Sequence, residues 1–126
     1  MDLSLDRPGN YLFVRRVDAR SIVVVDRELT ASFLLSPERA VENWPVTAAS
    51  ELDASHVEAI LELKPEVVLL GTGERQVFPA HAFMAGLLRK GVGVEVMDNA
   101  AAARTYDLLA GESRRVVAAF ILPEQK

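Results

Sequence analysis

The residues best able to do chemistry in this chain are few and scattered. Gly71-Thr72-Gly73, with Arg75 two positions on, follows an apolar run. Glycines there permit positive φ and leave backbone N–H groups open to an oxyanion, and Arg75 adds charge. The competing reading is a tight structural turn. A dinucleotide fingerprint needs a third glycine where Gln76 stands, although Asp98 lies near the expected acidic position, and the Gly-Lys-Ser/Thr ending of a P-loop is missing. His56 and His81 each fall near the start of an expected helix and would form a base or metal pair only if the fold joined them. Glu51, Asp53 and Glu58 around His56 do not make a His-Glu-x-x-His zinc motif. Ser36, Ser50, Ser55 and Ser113 lie outside any Gly-x-Ser-x-Gly elbow, so acyl transfer has no support. The sequence assigns no catalytic residue, no cofactor and no metal. Arg104, Tyr106, Glu112, Arg114 and Arg115 gather on and after a third expected helix, either lining a cleft or forming a solvated face with Glu112 paired to an arginine. Trp44, before Pro45, is either a core anchor or a contact residue.

The elements that must position these residues change rhythm midway. Segments 11–17, 22–25 and 32–35 read as short strands of an antiparallel meander, with breaks at 18–21 and 27–30. Pro45 forces Trp44 into an extended conformation and ends the region in a loop. From Asp53, Val57, Ile60, Leu61 and Leu63 predict a helix capped by Ser50 or Asp53 and stopped by Pro65. A buried strand at 66–70 follows. Pro79 suits the first turn of a second helix, with Ala82, Phe83, Met84, Leu87 and Leu88 as its apolar face and Gly91 as its close. Segment 92–97 is a further strand, Asp98 or Asn99 caps a third helix closed near Gly111, and 115–122 is a last apolar strand. Strands alternating with helices predict a helix-covered sheet in which 66–70, 94–97 and 115–121 are neighbours. The turn at 71–75 then sits at its C-terminal edge.

Half the 126 residues are hydrophobic, enough for one α/β domain over 1–126 with loose ends at 1–9 and 123–126. The net charge of −4, with basic residues dispersed, argues against nucleic acid. No cysteine is present, which excludes thiolate chemistry and fits a reducing compartment. With no export or transit pattern and no apolar run of membrane-spanning length, the expectation is a cytoplasmic protein that is not integral to a membrane.

Several segments together resemble one known family. They are Trp44-Pro45, Leu63-Lys64-Pro65-Glu66, Leu69-Leu70-Gly71-Thr72-Gly73, Gly91 with Gly93-Val94-Glu95-Val96-Met97-Asp98, Ala103-Arg104-Thr105-Tyr106-Asp107, and Glu112 with Arg114. The family comprises largely uncharacterised bacterial and archaeal proteins, and includes the mitochondrial complex I assembly factor 3 and the adipogenesis-associated domain protein. Asn99 stands where the family usually has threonine, and Asp107 where asparagine is common. The resemblance implies a three-layer α/β fold: a central mixed sheet, helices on one side, and an added N-terminal β layer. It implies no enzyme activity or cofactor, and for the eukaryotic relatives a partner-binding role in respiratory complex assembly. The resulting expectation is a non-enzymatic interaction or assembly factor that contacts a protein partner through Trp44, Arg104, Tyr106 and Arg114. Self-association is left open. The alternative is a small-molecule binding protein or enzyme holding an anion at Gly71, Thr72, Gly73 and Arg75.

Overall fold

The computed structural model describes residues 11–124. The loose segment expected at 1–9 lies outside them, as do residues 125–126 of the one expected at 123–126; the Glu124 carbonyl accepts from the Arg20 guanidinium at 3.1 Å.

The N-terminal layer is an antiparallel meander of β1 (Val14–Val17), β2 (Ile22–Val24) and β3 (Arg27–Leu29). Segment 27–30, expected to be a break, thus carries a strand. A two-residue reversal at Val25 and Asp26 joins β2 to β3 with Val25 at φ 56°, a position usually signalled by Asn-Gly or Asp-Gly. The expected third strand of the meander instead leaves it. β4 (Phe33–Leu35) is buried throughout and joins the central sheet, paired with the short β5 (Ala40–Val41) and antiparallel to β8 (Val116–Phe120). A strand apolar on both faces needs cover on both.

The first helical region is shorter than its periodicity suggests. Asp53 caps a 3-10 turn at Ala54–His56, accepting the Ser55 N–H at 2.9 Å, while its own N–H donates to His56 Nδ1 at 3.2 Å. Helix α1 (Val57–Leu61) follows. Then come β6 (Val67–Gly71), α2 (His81–Leu88), β7 (Gly93–Met97), α3 (Asn99–Gly111) and β8. Asp98 caps α3 by accepting the Ala101 N–H at 2.8 Å.

The central sheet has the order β5-β4-β8-β6-β7, with β6 parallel to both β7 and β8. The three strands expected to be neighbours are so. The chain steps outward from β6 to β7, then back across β6 to β8. Two crossovers of the same hand running in opposite directions deliver their helices to opposite faces. Hence α1 and α2 pack with Val68, Leu70, Val96, Val117 and Ala119 on one face. On the other, α3 shares a core with the meander, built on Leu69, Val116, Ala118 and Phe120. The three-layer α/β architecture with its added β layer holds, but α3 lies within that layer rather than beside the other helices.

Candidate functional site

The reversal of direction between the two crossovers opens a crevice at the C-terminal ends of β6 and β7, since the chain leaves β6 toward one face and β7 toward the other. Gly71-Thr72-Gly73 stands there as expected, but its backbone is not open. The Thr72 N–H donates to the Met97 carbonyl at 3.0 Å, and the Gly73 N–H to Asn99 Oδ1 at 3.2 Å. Thr72 Oγ1 donates to the Arg75 carbonyl at 2.5 Å and accepts the Val77 N–H at 3.0 Å, closing the loop upon itself. Only Gly73 has positive φ, at 106°. Gly71 is required for space, since a β-carbon there would stand 2.3 Å from Asn99 Oδ1.

Asn99 is the keystone of this crevice. Its side chain is 3% exposed, and besides holding Gly73 it donates through Nδ2 to the Ile121 carbonyl at 3.0 Å. Its backbone N–H donates to the Gly73 carbonyl at 2.8 Å, and the Ile121 N–H to the Gly71 carbonyl at 2.9 Å. One side chain thus locks the start of α3, the glycine turn and the exit of β8 together.

Outside this lock, a cavity of about 370 Å³ is lined by Val17, Asp18, Gly73, Glu74, Asp98 and Ala100. A second, of about 380 Å³, continues from Val17 and Ala100 along α3 past Ala103, Arg104 and Asp107, with Arg15 and Arg16 on its β1 side. Together they form an open groove between the meander and α3, acidic at the crevice and basic further along. Arg15 and Arg16 both reach solvent because the β1–β2 register shifts between Val14 and Arg16, a bulge that breaks the in-out alternation. Arg16 Nε lies 3.2 Å from Asp18 Oδ2, an exposed pair. Asp107, half-buried at the groove floor, accepts the Val14 N–H at 2.8 Å. Burial raises its pKa, and that hydrogen bond opposes the rise.

The other candidates separate. Trp44, 6% exposed, lies in the α1–α2 core with its ring edge-on to His56, so it anchors packing and presents no contact surface. Tyr106 is fully buried and its hydroxyl donates to the Leu12 carbonyl at 2.6 Å, riveting α3 to the N-terminal layer. Burial pushes its pKa far up, so it stays a neutral donor. Both therefore leave the contact set. Arg104 is exposed on the groove rim. Arg114 sits at the opposite end of the sheet, where its Nε meets Glu66 Oε2 at 2.7 Å. Its carboxylate partner is thus Glu66 rather than Glu112. Arg75 is exposed but does not line the crevice. His56 serves the capping box, and His81 opens α2. Among the described residues, no group of three or more His, Cys, Asp or Glu is arranged to hold a metal ion.

Sequence reasoning missed Asp18, Arg15 and Arg16, which reach the groove only through tertiary packing. One signal was available: Ala100, Arg104 and Leu108 recur at four-residue spacing, and all are exposed, Leu108 by 62%.

The model of a family described as a protein of unknown function (DUF498/DUF598) matches residues 14–121. The chain is 39% identical over 62 residues to a Francisella tularensis protein named "13 kDa major membrane protein", covering 49% of this chain and 50% of that one. It is 26% identical over 119 residues to the Xenopus tropicalis NADH dehydrogenase (ubiquinone) 1 alpha subcomplex assembly factor 3, covering 93% of this chain and 64% of that one. The chain therefore spans less than two thirds of either relative's length. Among solved structures it resembles that of a Xanthomonas campestris protein determined by NMR, at 44% identity and TM-score 0.83, covering 100% of this chain and 97% of that one. No helix among the described residues is long and apolar enough to cross a membrane.

Proposed function

The chain belongs to the DUF498/DUF598 family of proteins of unknown function, and on that premise we propose that it is a non-enzymatic, cytoplasmic assembly-type factor that grips a protein partner in the groove along α3. The observation that carries this reading is the groove itself. It is open, it is lined by two charge sets of opposite sign, and an exposed Leu108 stands further along α3. Such a surface suits a partner segment carrying both signs of charge around an apolar residue. Similarity to a protein named as an assembly factor supports the same class of role. Arg104 is exposed on the groove rim and belongs to a residue type enriched at binding hot spots.

The anion-binding alternative is supported by the position of the glycine turn at the strand-end crevice. It is weakened by the prior engagement of the Thr72 and Gly73 N–H groups and by the carboxylates of Asp18, Glu74 and Asp98 lining the cavity.

A photo-crosslinking residue at Ala100 or Leu108, compared in the native host with one at the distant, exposed Glu28, tests the proposal. Discrete protein adducts are expected only from the α3 positions and should be lost when Arg104→Glu is added. Adducts that ignore Arg104→Glu, or that form equally from position 28, would overturn it.

A further inference from the structure

We propose that the outer edge of β7, with the flank of α2 above it, pairs with a second copy of this chain across a two-fold axis near Val94. This interface lies on the α2 side of the sheet and does not depend on the α3 groove. β7 borders the sheet over five residues, whereas β5 at the other border is only two residues long. The Gly93 N–H donates to the Glu66 carbonyl at 3.2 Å and the Met97 carbonyl accepts from Thr72 at 3.0 Å, so odd-numbered positions face β6. In a strand beside one parallel neighbour, the intervening residues then turn their N–H and C=O outward. Val96 confirms this independently, for its carbonyl accepts Gln76 Nε2 at 2.8 Å from the outer side. At Val94 no comparable side-chain cover is found among the described residues.

Helix α2 extends the surface. Gly86 faces α1, because a β-carbon there would stand 2.8 Å from Val57 Cγ2. Met84 and Leu88 lie about 160° around the helix from Gly86, and so project from the opposite flank, over the edge of β7. Leu88 is 57% exposed, and Phe78, just before the other end of α2, is 66% exposed. Among the described residues, these are two of the few large apolar side chains left to solvent.

The surface is self-complementary. A two-fold axis sets β7 antiparallel to its copy, which brings Phe78 of one chain against Leu88 of the second copy and places both Met84 side chains near the axis. With Val94 opposite Val94, facing residue numbers sum to 188. Glu95 then falls opposite Gly93, which carries no side chain to oppose its carboxylate. Centring on Glu95 would oppose two carboxylates directly. In the favoured register the Val94 groups bond each other and the Val96 N–H meets the Val92 carbonyl. The Gln76 bond to Val96 and the Val92 N–H bond to Leu87 stay intact.

Sedimentation equilibrium of the 126-residue chain, from about 1 µM to about 1 mM, tests the pairing. The mass is expected to rise from 13.8 kDa toward twice that value. Leu88→Asp and Phe78→Asp change exposed side chains, so each should leave the circular dichroism spectrum unaltered while weakening association about ten-fold or more. Amide exchange at Val94 and Val96 should slow with concentration in the unmodified chain only. A wild-type mass fixed at 13.8 kDa throughout, or self-association indifferent to both substitutions, overturns the proposal.

Discussion

Gly71 and Asn99 should behave as a single structural unit, and a double-mutant cycle between them tests the account of the crevice. Asn99→Ala removes the acceptor of the Gly73 N–H and the donor to the Ile121 carbonyl, in a position 3% exposed. The Ile121 carbonyl is stranded away from water and the Gly73 N–H is part-buried beside the cavity, so the two lost hydrogen bonds cost about 2–4 kcal/mol. Gly71→Ala should cost a similar amount for the same reason, because its β-carbon would lie 2.3 Å from Asn99 Oδ1 and must expel that side chain from both bonds. Independent effects would sum to about 4–8 kcal/mol, a large share of the 5–15 kcal/mol typical of a folded domain. The structure dictates otherwise. Once Asn99 is Ala, the main obstacle to a methyl group at 71 is gone, leaving only Phe120 Cδ1 at 3.2 Å and Ala102 Cβ at 3.3 Å to give slightly. The double variant should therefore lie within about 1 kcal/mol of Asn99→Ala alone, a coupling of about 2–3 kcal/mol. With about 2.1 cal/mol/K of unfolding entropy per residue, a chain of this length shifts its Tm by about 4 °C per kcal/mol, so the double variant should melt about 8–12 °C above the additive expectation. Urea and thermal unfolding of the four proteins measure this directly. Additive losses would refute the assignment of Gly71 to space rather than to turn geometry.

Two further outcomes follow from groups beside the groove. Tyr106→Phe deletes the 2.6 Å bond to the Leu12 carbonyl and keeps the ring in place, so a loss of about 1 kcal/mol, or about 4 °C in Tm, is expected; a variant as stable as wild type would show that the rivet contributes nothing. Asp107 has its pKa raised by burial above the ordinary 3.8, so the folded state holds the proton more tightly than the unfolded chain, and the ionised carboxylate subtracts stability at neutral pH. Asp107→Asn keeps an oxygen for the Val14 N–H without the charge. It should be the more stable protein at about pH 7, with the difference closing as pH falls through the raised pKa toward the ordinary one; urea midpoints at about pH 7 and about pH 4 that show the reverse order would contradict this.

Local signals carried the second half of the chain. Apolar runs marked β6, β7 and β8, and the caps were narrowed to Asp98 or Asn99 for α3 and to Ser50 or Asp53 before α1, of which Asp98 and Asp53 serve. The first half was harder to read because its determinants are not local. Arg27-Glu28-Leu29 looks like turn material and is a strand only because Ile22, Val23 and Val24 pair with it. The segment around Phe33 looks like the next hairpin strand, yet finds its pairing partners across 83 or more residues of sequence, in Ala118, Ala119 and Phe120. The candidate site divided in the same way. The strand-to-turn transition located the crevice, but a glycine in sequence does not say whether it serves positive φ, as Gly73 does, or a neighbour's side chain, as Gly71 does. Nor could Tyr106 and Trp44 be distinguished from surface aromatics, because their burial depends on the Leu12 region and on α1.

The reversed crossover explains why the groove has two charge signs at all. Had the chain continued outward from β7, α3 would have joined α2 on one face, and the meander would have covered the other face alone. Instead α3 returns over β6 and lies beside β1, so its N-terminal turn, which tolerates Asp98 and Glu74 because the exposed N–H dipoles favour negative charge, abuts the bulged arginines of β1. Asn99 and Tyr106 fix the two ends of that contact, one to the glycine turn and one to Leu12. A partner entering the groove meets a surface whose backbone is held at both ends before it arrives, so binding need not order α3 first, and the ordering penalty falls on the partner segment. That asymmetry predicts that weakening either tie affects stability and capture together, whereas Arg104→Glu affects capture alone.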